Sequence, residues 1–282
     1  MSPYWQGFKR SLVTYTRIPL KVDWSDDIKH TPAVCFLPWI GVVVALLSAW
    51  PLWFDWSSPL QALLMLLTSV LLTGGFHEDG LMDSCDGLVG GWDKEQRLSI
   101  MKDSRIGSYA ALSIWFSLSL KWLLLSELLA VIPASFLGFI YTLAAWCAVH
   151  VMARVIPLVL MNSLDYVTVE QSKASSMIAT LTSSQWGIAL APCLLFGLLA
   201  FNVFDLIITL MFAAGLVFLL RVYLRKKIEG FNGDTLGLVS KLVRFLSSYV
   251  CWCLIREVVS DTPSTAGCEK RFVLWRYGCA SC

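Results

Sequence analysis

The chain has 282 residues, 57% hydrophobic and 15% charged, with a mean hydropathy of +0.67 and a formal net charge of +2. Soluble domains carry about 25% charged residues, and the apolar residues here run in long blocks, so the composition points away from a large soluble core and toward membrane-spanning helices. So small a net charge leaves no electrostatic footprint for nucleic acid, and no nucleic-acid motif is present.

The expected fold is all-α: a polytopic integral membrane protein with about six to seven transmembrane helices. Near the start, Trp5, Phe8, Leu12 and Tyr15 share one helical face, which suits an amphipathic helix on a membrane surface. Ile18-Pro19 ends any helix there. Lys9 and Arg10 precede only a short, polar-interrupted run, so no signal peptide is expected. The spacing predicts spans at Thr31–Phe54, Leu60–Thr73, Tyr109–Leu125, Ala134–Val159, Trp186–Phe201 and Phe204–Val222, then a short apolar stretch at Leu242–Ile255. Trp50 and Trp53 fit an aromatic belt. Asn162–Ser184 reads as a polar loop. If the N-terminus, with Lys9, Arg10, Arg17, Lys21 and Lys29, lies in the cytoplasm, alternation puts 74–107, 162–184 and 221–241 on the same side. Those are the other Lys- and Arg-rich segments, as the positive-inside rule requires.

The polar residues concentrate in 73–107. Asp79, Asp83 and Asp86 are spaced i, i+4, i+7, one face of a helix. Three carboxylates on one face repel unless a cation sits among them, and hard oxygen ligands suit Mg²⁺ or Mn²⁺. Mg²⁺ takes one or two carboxylates and completes its shell with water and substrate phosphates, so this face reads as a metal–phosphate platform. Gly74, Gly75, Gly80, Gly87, Gly90 and Gly91 permit close approach of backbone and ligand. Lys102 and Arg105 can neutralise phosphate oxygens, and Asp103 can orient one of them. His77 is a candidate general base or ligand. An EF-hand is ruled out by the spacing. Arg154, one turn inside its span, is a candidate phosphate ligand. His150 is expected to pack. Asp234 and Thr235 follow a basic cluster on the same side and are candidates for substrate or metal.

These motifs carry a resemblance. Gly74-Gly-Phe-His-Glu-Asp-Gly-Leu-Met-Asp-Ser-Cys-Asp-Gly87, Ile100-Met-Lys-Asp-Ser-Arg-Ile-Gly107 and Gly233-Asp-Thr-Leu-Gly237 resemble cobalamin synthase, the adenosylcobinamide-GDP ribazoletransferase family. Thr16-Arg-Ile-Pro19, Arg154, and Tyr166-Val-Thr leading to Ser172-Lys173 are similar too, so the likeness covers roughly residues 5–237. It implies a Mg²⁺-dependent enzyme of the bacterial inner membrane, multi-pass, with its site facing the cytoplasm. It further implies joining of adenosylcobinamide-GDP to α-ribazole, or its 5′-phosphate, giving adenosylcobalamin, or its phosphate, and GMP. On that reading Asp79, Asp83 and Asp86 hold the metal, Lys102, Arg105 and Arg154 take developing charge, and His77 or Glu78 accepts a proton. Asp103 is grouped with the catalytic residues, and Gly75, Gly87, Arg17, Asp234 and Thr235 with substrate binding. Expected partners are the two substrates, the lipid bilayer, and a second copy or other nucleotide-loop enzymes.

The resemblance weakens after Gly237. The family continues with small residues, two Gln and a Glu, whereas Arg244 stands where the Glu is expected, and the tail beyond Glu257 is polar and Cys-rich. A shifted reading frame would account for this. If Val239–Phe245 are encoded GTC AGC AAA CTG GTG AGG TTC, reading from the third base gives Gln-Gln-Thr-Gly-Glu-Val. The expected organisation is thus one membrane-embedded catalytic domain, 1–257, and an atypical tail, 258–282. The nine cysteines form no disulfide framework, and Cys279 and Cys282 make a lone C-x-x-C. Two rivals are a CDP-alcohol phosphotransferase, whose D-G-x-x-A-R pattern fails at Asp83-Ser84, and a transporter, whose ionisable groups would sit nearer the bilayer midplane.

Overall fold

The computed structural model describes residues 3–22, 33–132, 135–167 and 181–260, with side chains from 4 to 250. The described residues form helices throughout: α1 (Pro3–Tyr15), α2 (Leu37–Ser48), α3 (Ser58–Thr73), α4 (Phe76–Gly90), α5 (Lys94–Met101), α6 (Ser108–Val131), α7 (Phe136–Met161), α8 (Ser183–Ala200), α9 (Val203–Ile228) and α10 (Gly233–Ser260). Parts of the expected first span and 162–184 loop, with Lys29, Ser172 and Lys173, and the tail beyond 260 lie outside the described residues.

Among the described residues five segments are long and apolar enough to cross a membrane: Val34–Trp53, α6, α7, α8 and α9; α3 and α4 make a sixth if counted as one broken span. α7 is the axis of the bundle, with 89% of its apolar window buried, against 22% for α6 and 17% for α9. The outer helices turn Leu112, Trp115, Phe116, Leu198, Phe212 and Leu219 outward. A helix apolar on its outer face requires a hydrocarbon solvent. The chain is therefore an all-α polytopic membrane protein.

Local chemistry sets the breaks. α3 ends in a Schellman motif: Gly74 N–H donates to Leu71 C=O (3.2 Å) and Gly75 N–H to Val70 C=O (3.0 Å). Both glycines have positive φ, 66° and 72°, and α4 leaves at 86° to α3. A side chain at either would be strained. α1 presents Phe8, Leu12 and Tyr15 to Ile40 and Val44 of α2, so its apolar stripe packs on protein while Trp5 stays exposed.

The stretch after Asn232 is a 28-residue helix instead of a short apolar one. Lys241 and Arg244 interrupt its apolar run, yet both are buried. α10 crosses α4 where two glycines meet: a Cβ on Gly80 would lie 2.9 Å from Asp234 O, and one on Gly237 2.9 Å from Gly80 Cα.

A candidate active site where two helices cross

The described parts of the four segments expected on one side converge at one end of the bundle. Arg17 N–H donates to Leu72 C=O (2.7 Å), and the Arg17 side chain lies over Gly74. Tyr166 and Phe231 form a parallel bridge, with Val167 N–H donating to Phe231 C=O (2.8 Å) and Phe231 N–H to Asp165 C=O (2.9 Å). Arg97 donates to Lys227 C=O (3.0 Å) at the end of α9, and Lys94 pairs with Glu229 (2.5 Å). These ties hold the start of α10 against α4.

The predicted carboxylates divide. Asp79 is exposed and Asp83 half-buried on α4. Asp234, in the first turn of α10, faces both and feels their charge. Burial, then repulsion from Asp83 and Asp79, pushes the Asp234 carboxyl up to about 6. Asp86 is engaged elsewhere: its Oδ2 accepts from Gly107 N–H (2.7 Å) and its Oδ1 from Ala110 N–H (2.9 Å), capping α6. Gly107 is required there, since its Cβ would lie 2.5 Å from Asp86 Oδ1. Among the described residues no three His, Cys, Asp or Glu side chains gather closely enough to cage a metal alone. Asp79, Asp83 and Asp234 are hard oxygen donors, with Asp79 at a cavity wall, and fit an ion that completes its shell with water and phosphate.

Asn232, which the sequence reading passed over, builds this corner. It caps α10: Thr235 N–H donates to Asn232 Oδ1 (2.9 Å), and Asn232 Nδ2 donates to Asp234 Oδ2 (3.1 Å). An Asn before Gly-Asp-Thr is a legible N-cap signal. Thr235 is fully buried, its hydroxyl accepting from Asn232 N–H (2.9 Å) and donating to Asn232 C=O (3.0 Å), so it serves the cap. Gly87 packs against Met101 and the Arg97 carbonyl, while Gly75 opens on free space.

The expected cations are spread out. Lys102 and Arg105 lie exposed between α5 and α6. Arg105 grips Asp103 with a bidentate pair (2.6 and 3.1 Å), and those hydrogen bonds hold the Asp103 carboxyl below its usual range. Arg154 is fully buried and donates from Nη1 to His150 C=O (3.0 Å). His150 is buried edge-on to Trp146, as expected of a packing residue. Glu78 is buried and paired with Lys241; His77 is buried with neither ring nitrogen hydrogen-bonded.

Two cavities flank Phe76. One, of about 560 Å³, is polar and lined by Arg17, Gly74, Gly75, Glu78 and Asp79. The other, of about 240 Å³, is apolar and lined by Tyr15, His77, Arg154, Tyr166 and Leu236. Thr14 and Phe76 belong to both walls.

The family model of cobalamin-5-phosphate synthase matches residues 7–252. The chain belongs to the cobalamin-5-phosphate synthase family. It is 39% identical over 233 residues to an adenosylcobinamide-GDP ribazoletransferase of Shewanella halifaxensis (strain HAW-EB4), covering 79% of this chain and 85% of that protein. It is 36% identical over 247 residues to the same-named protein of Shewanella piezotolerans (strain WP3 / JCM 13877), covering 86% and 91%. No solved structure matches. Membership in the cobalamin-5-phosphate synthase family makes the chain an enzyme, a transferase, and the phosphotransferase and transporter rivals give way.

Proposed function

We propose that this transferase joins adenosylcobinamide-GDP to α-ribazole, or to α-ribazole 5′-phosphate, by Mg²⁺-dependent phosphoryl transfer at the cytoplasmic face of a bacterial inner membrane. The products are adenosylcobalamin, or its 5′-phosphate, and GMP. The observation that carries this is the meeting of Asp79 and Asp83 with Asp234 at the glycine crossing, beside a polar cavity that Arg17 borders.

A 5′ oxygen of the ribazole attacks the phosphorus next to the cobinamide arm. A P–O bond forms, the pyrophosphate linkage breaks, and GMP leaves with the bonding electrons. Such transfer is mainly positioning and charge neutralisation. Asp79, Asp83 and Asp234 are the residues to hold Mg²⁺, which when bound would neutralise the pyrophosphate. Arg17 and the glycine turn bind and orient phosphate oxygens. Glu78, with Oε2 unpartnered at the cavity wall, or His77 accepts the attacking group's proton. Lys102 and Arg105, exposed on their loop, meet the outer part of the substrate.

The test is GMP release from adenosylcobinamide-GDP by the full chain in lipid, with and without α-ribazole and Mg²⁺. Release that requires both, with cobalamin formed, is expected. Release with neither dependence would overturn the reading. Asp83→Asn should lower turnover at least about 100-fold, a single missing electrostatic group being worth about that much.

A further inference from the structure

We propose that the apolar chamber between Tyr15, Phe76 and Leu236 is the subsite for the flat aromatic base of the ribazole. This rests on the function proposed above and names which substrate enters which cavity. The chamber has aromatic walls, with Tyr15 and Phe76 edge to face at 6.1 Å and Tyr166 lining it as well, backed by Phe231 at 5.4 Å. Two polar side chains reach its lining with work undone. His77 has no hydrogen bond at either ring nitrogen, and Arg154 none at Nε or Nη2, although both are at least nine-tenths buried. Unpartnered donors in an apolar wall call for a ligand acceptor.

The four rings on offer differ in how they meet this demand. A corrin macrocycle is far larger than about 240 Å³ admits. Guanine, and the adenine of the adenosyl group, carry polar atoms around much of their edges, and an apolar lining would leave most of them unpaired. The dimethylated bicyclic base of a ribazole has methyl groups on one side and a single free ring nitrogen, an acceptor for His77 or Arg154. Phe76 and Thr14 lie in the walls of both cavities. A base seated in the chamber therefore directs its ribose past Phe76 to the carboxylates, where its 5′ oxygen is needed.

Equilibrium dialysis of α-ribazole against the full chain in lipid nanodiscs tests this without requiring turnover. Met161 lines the chamber, so Met161→Trp fills it and should weaken α-ribazole binding at least about tenfold, leaving adenosylcobinamide-GDP binding unchanged. Met161→Ala, which asks nothing of the packing, should improve binding of a ribazole with a bulkier base relative to α-ribazole itself. Unchanged α-ribazole binding in Met161→Trp, loss of adenosylcobinamide-GDP binding instead, or no change of preference in Met161→Ala would each overturn the subsite. Chamber-dependent binding without any GMP release would sink the proposed reaction and leave the subsite standing.

Discussion

Asp234 is a carboxylate held against its own preference, and the cost is measurable. Its carboxyl sits at about 6 instead of 3.8 because burial, then Asp83 and Asp79, disfavour the charged form. Below pH 3.8 it is protonated in folded and unfolded chains alike and contributes nothing. As pH rises from there to about 6 the unfolded chain releases the proton first, so stability falls by up to about 3 kcal/mol and stays lower above. Asp234→Asn should therefore stabilise the metal-free protein at pH 7.5 and lose that advantage below pH 4, read as thermal midpoints across pH. The same proton competes with Mg²⁺, so the Mg²⁺ needed for half-maximal turnover should climb as pH falls through about 6. Asp103 takes no part in that profile: its bonds from Arg105 keep it ionised at lower pH.

Among the helices, α4 does two jobs with residues about two turns apart. Asp86 anchors the start of α6 through two backbone N–H groups, and Asp79 faces the polar cavity. Asp86→Ala should cost about 0.5–2 kcal/mol of stability, as lost helix caps do. Asp79→Ala should leave stability nearly unchanged and remove activity. Chemical denaturation and GMP release on the two variants separate the roles. The α4–α10 crossing has no room for a side chain. Gly237→Val would press against Gly80 and the His77 carbonyl. Overpacking of this kind costs about 1–3 kcal/mol, and here it also parts Asp234 from Asp83, so turnover should fall further than stability.

Over the whole molecule, the membrane decides which faces are outside. Leu120, midway along α6, is 40% exposed. An arginine at the centre of a spanning helix costs about 2.5–3.5 kcal/mol, so Leu120→Arg should cut the membrane-integrated fraction sharply in a fractionation assay. Trp53 and Trp92 are exposed, 77% and 87%, beyond opposite ends of α3 and α4. With the site in the cytoplasm, Trp53→Cys should react with an impermeant maleimide added to intact cells, and Trp92→Cys only after lysis, each above the signal of the native cysteines.

Much of this was legible in the chain because it is local. Apolar block length dictates spans, the Asp79, Asp83 and Asp86 spacing dictates one helical face, and Gly74-Gly75 dictates a break, since each depends on backbone geometry within a few residues. Where distant residues meet depends on how helices pack. That Asp234 joins Asp79 and Asp83 follows from the Gly80–Gly237 contact, which no single stretch encodes. That Asp86 turns to α6 follows from Gly107, 21 residues on. The burial of Lys121, Lys241 and Arg244 could not be read from spacing at all. Charged residues ordinarily mark a solvated face, and only the closed bundle shows that these lie inside it, Lys241 against Glu78 and Lys121 with no hydrogen bond at Nζ.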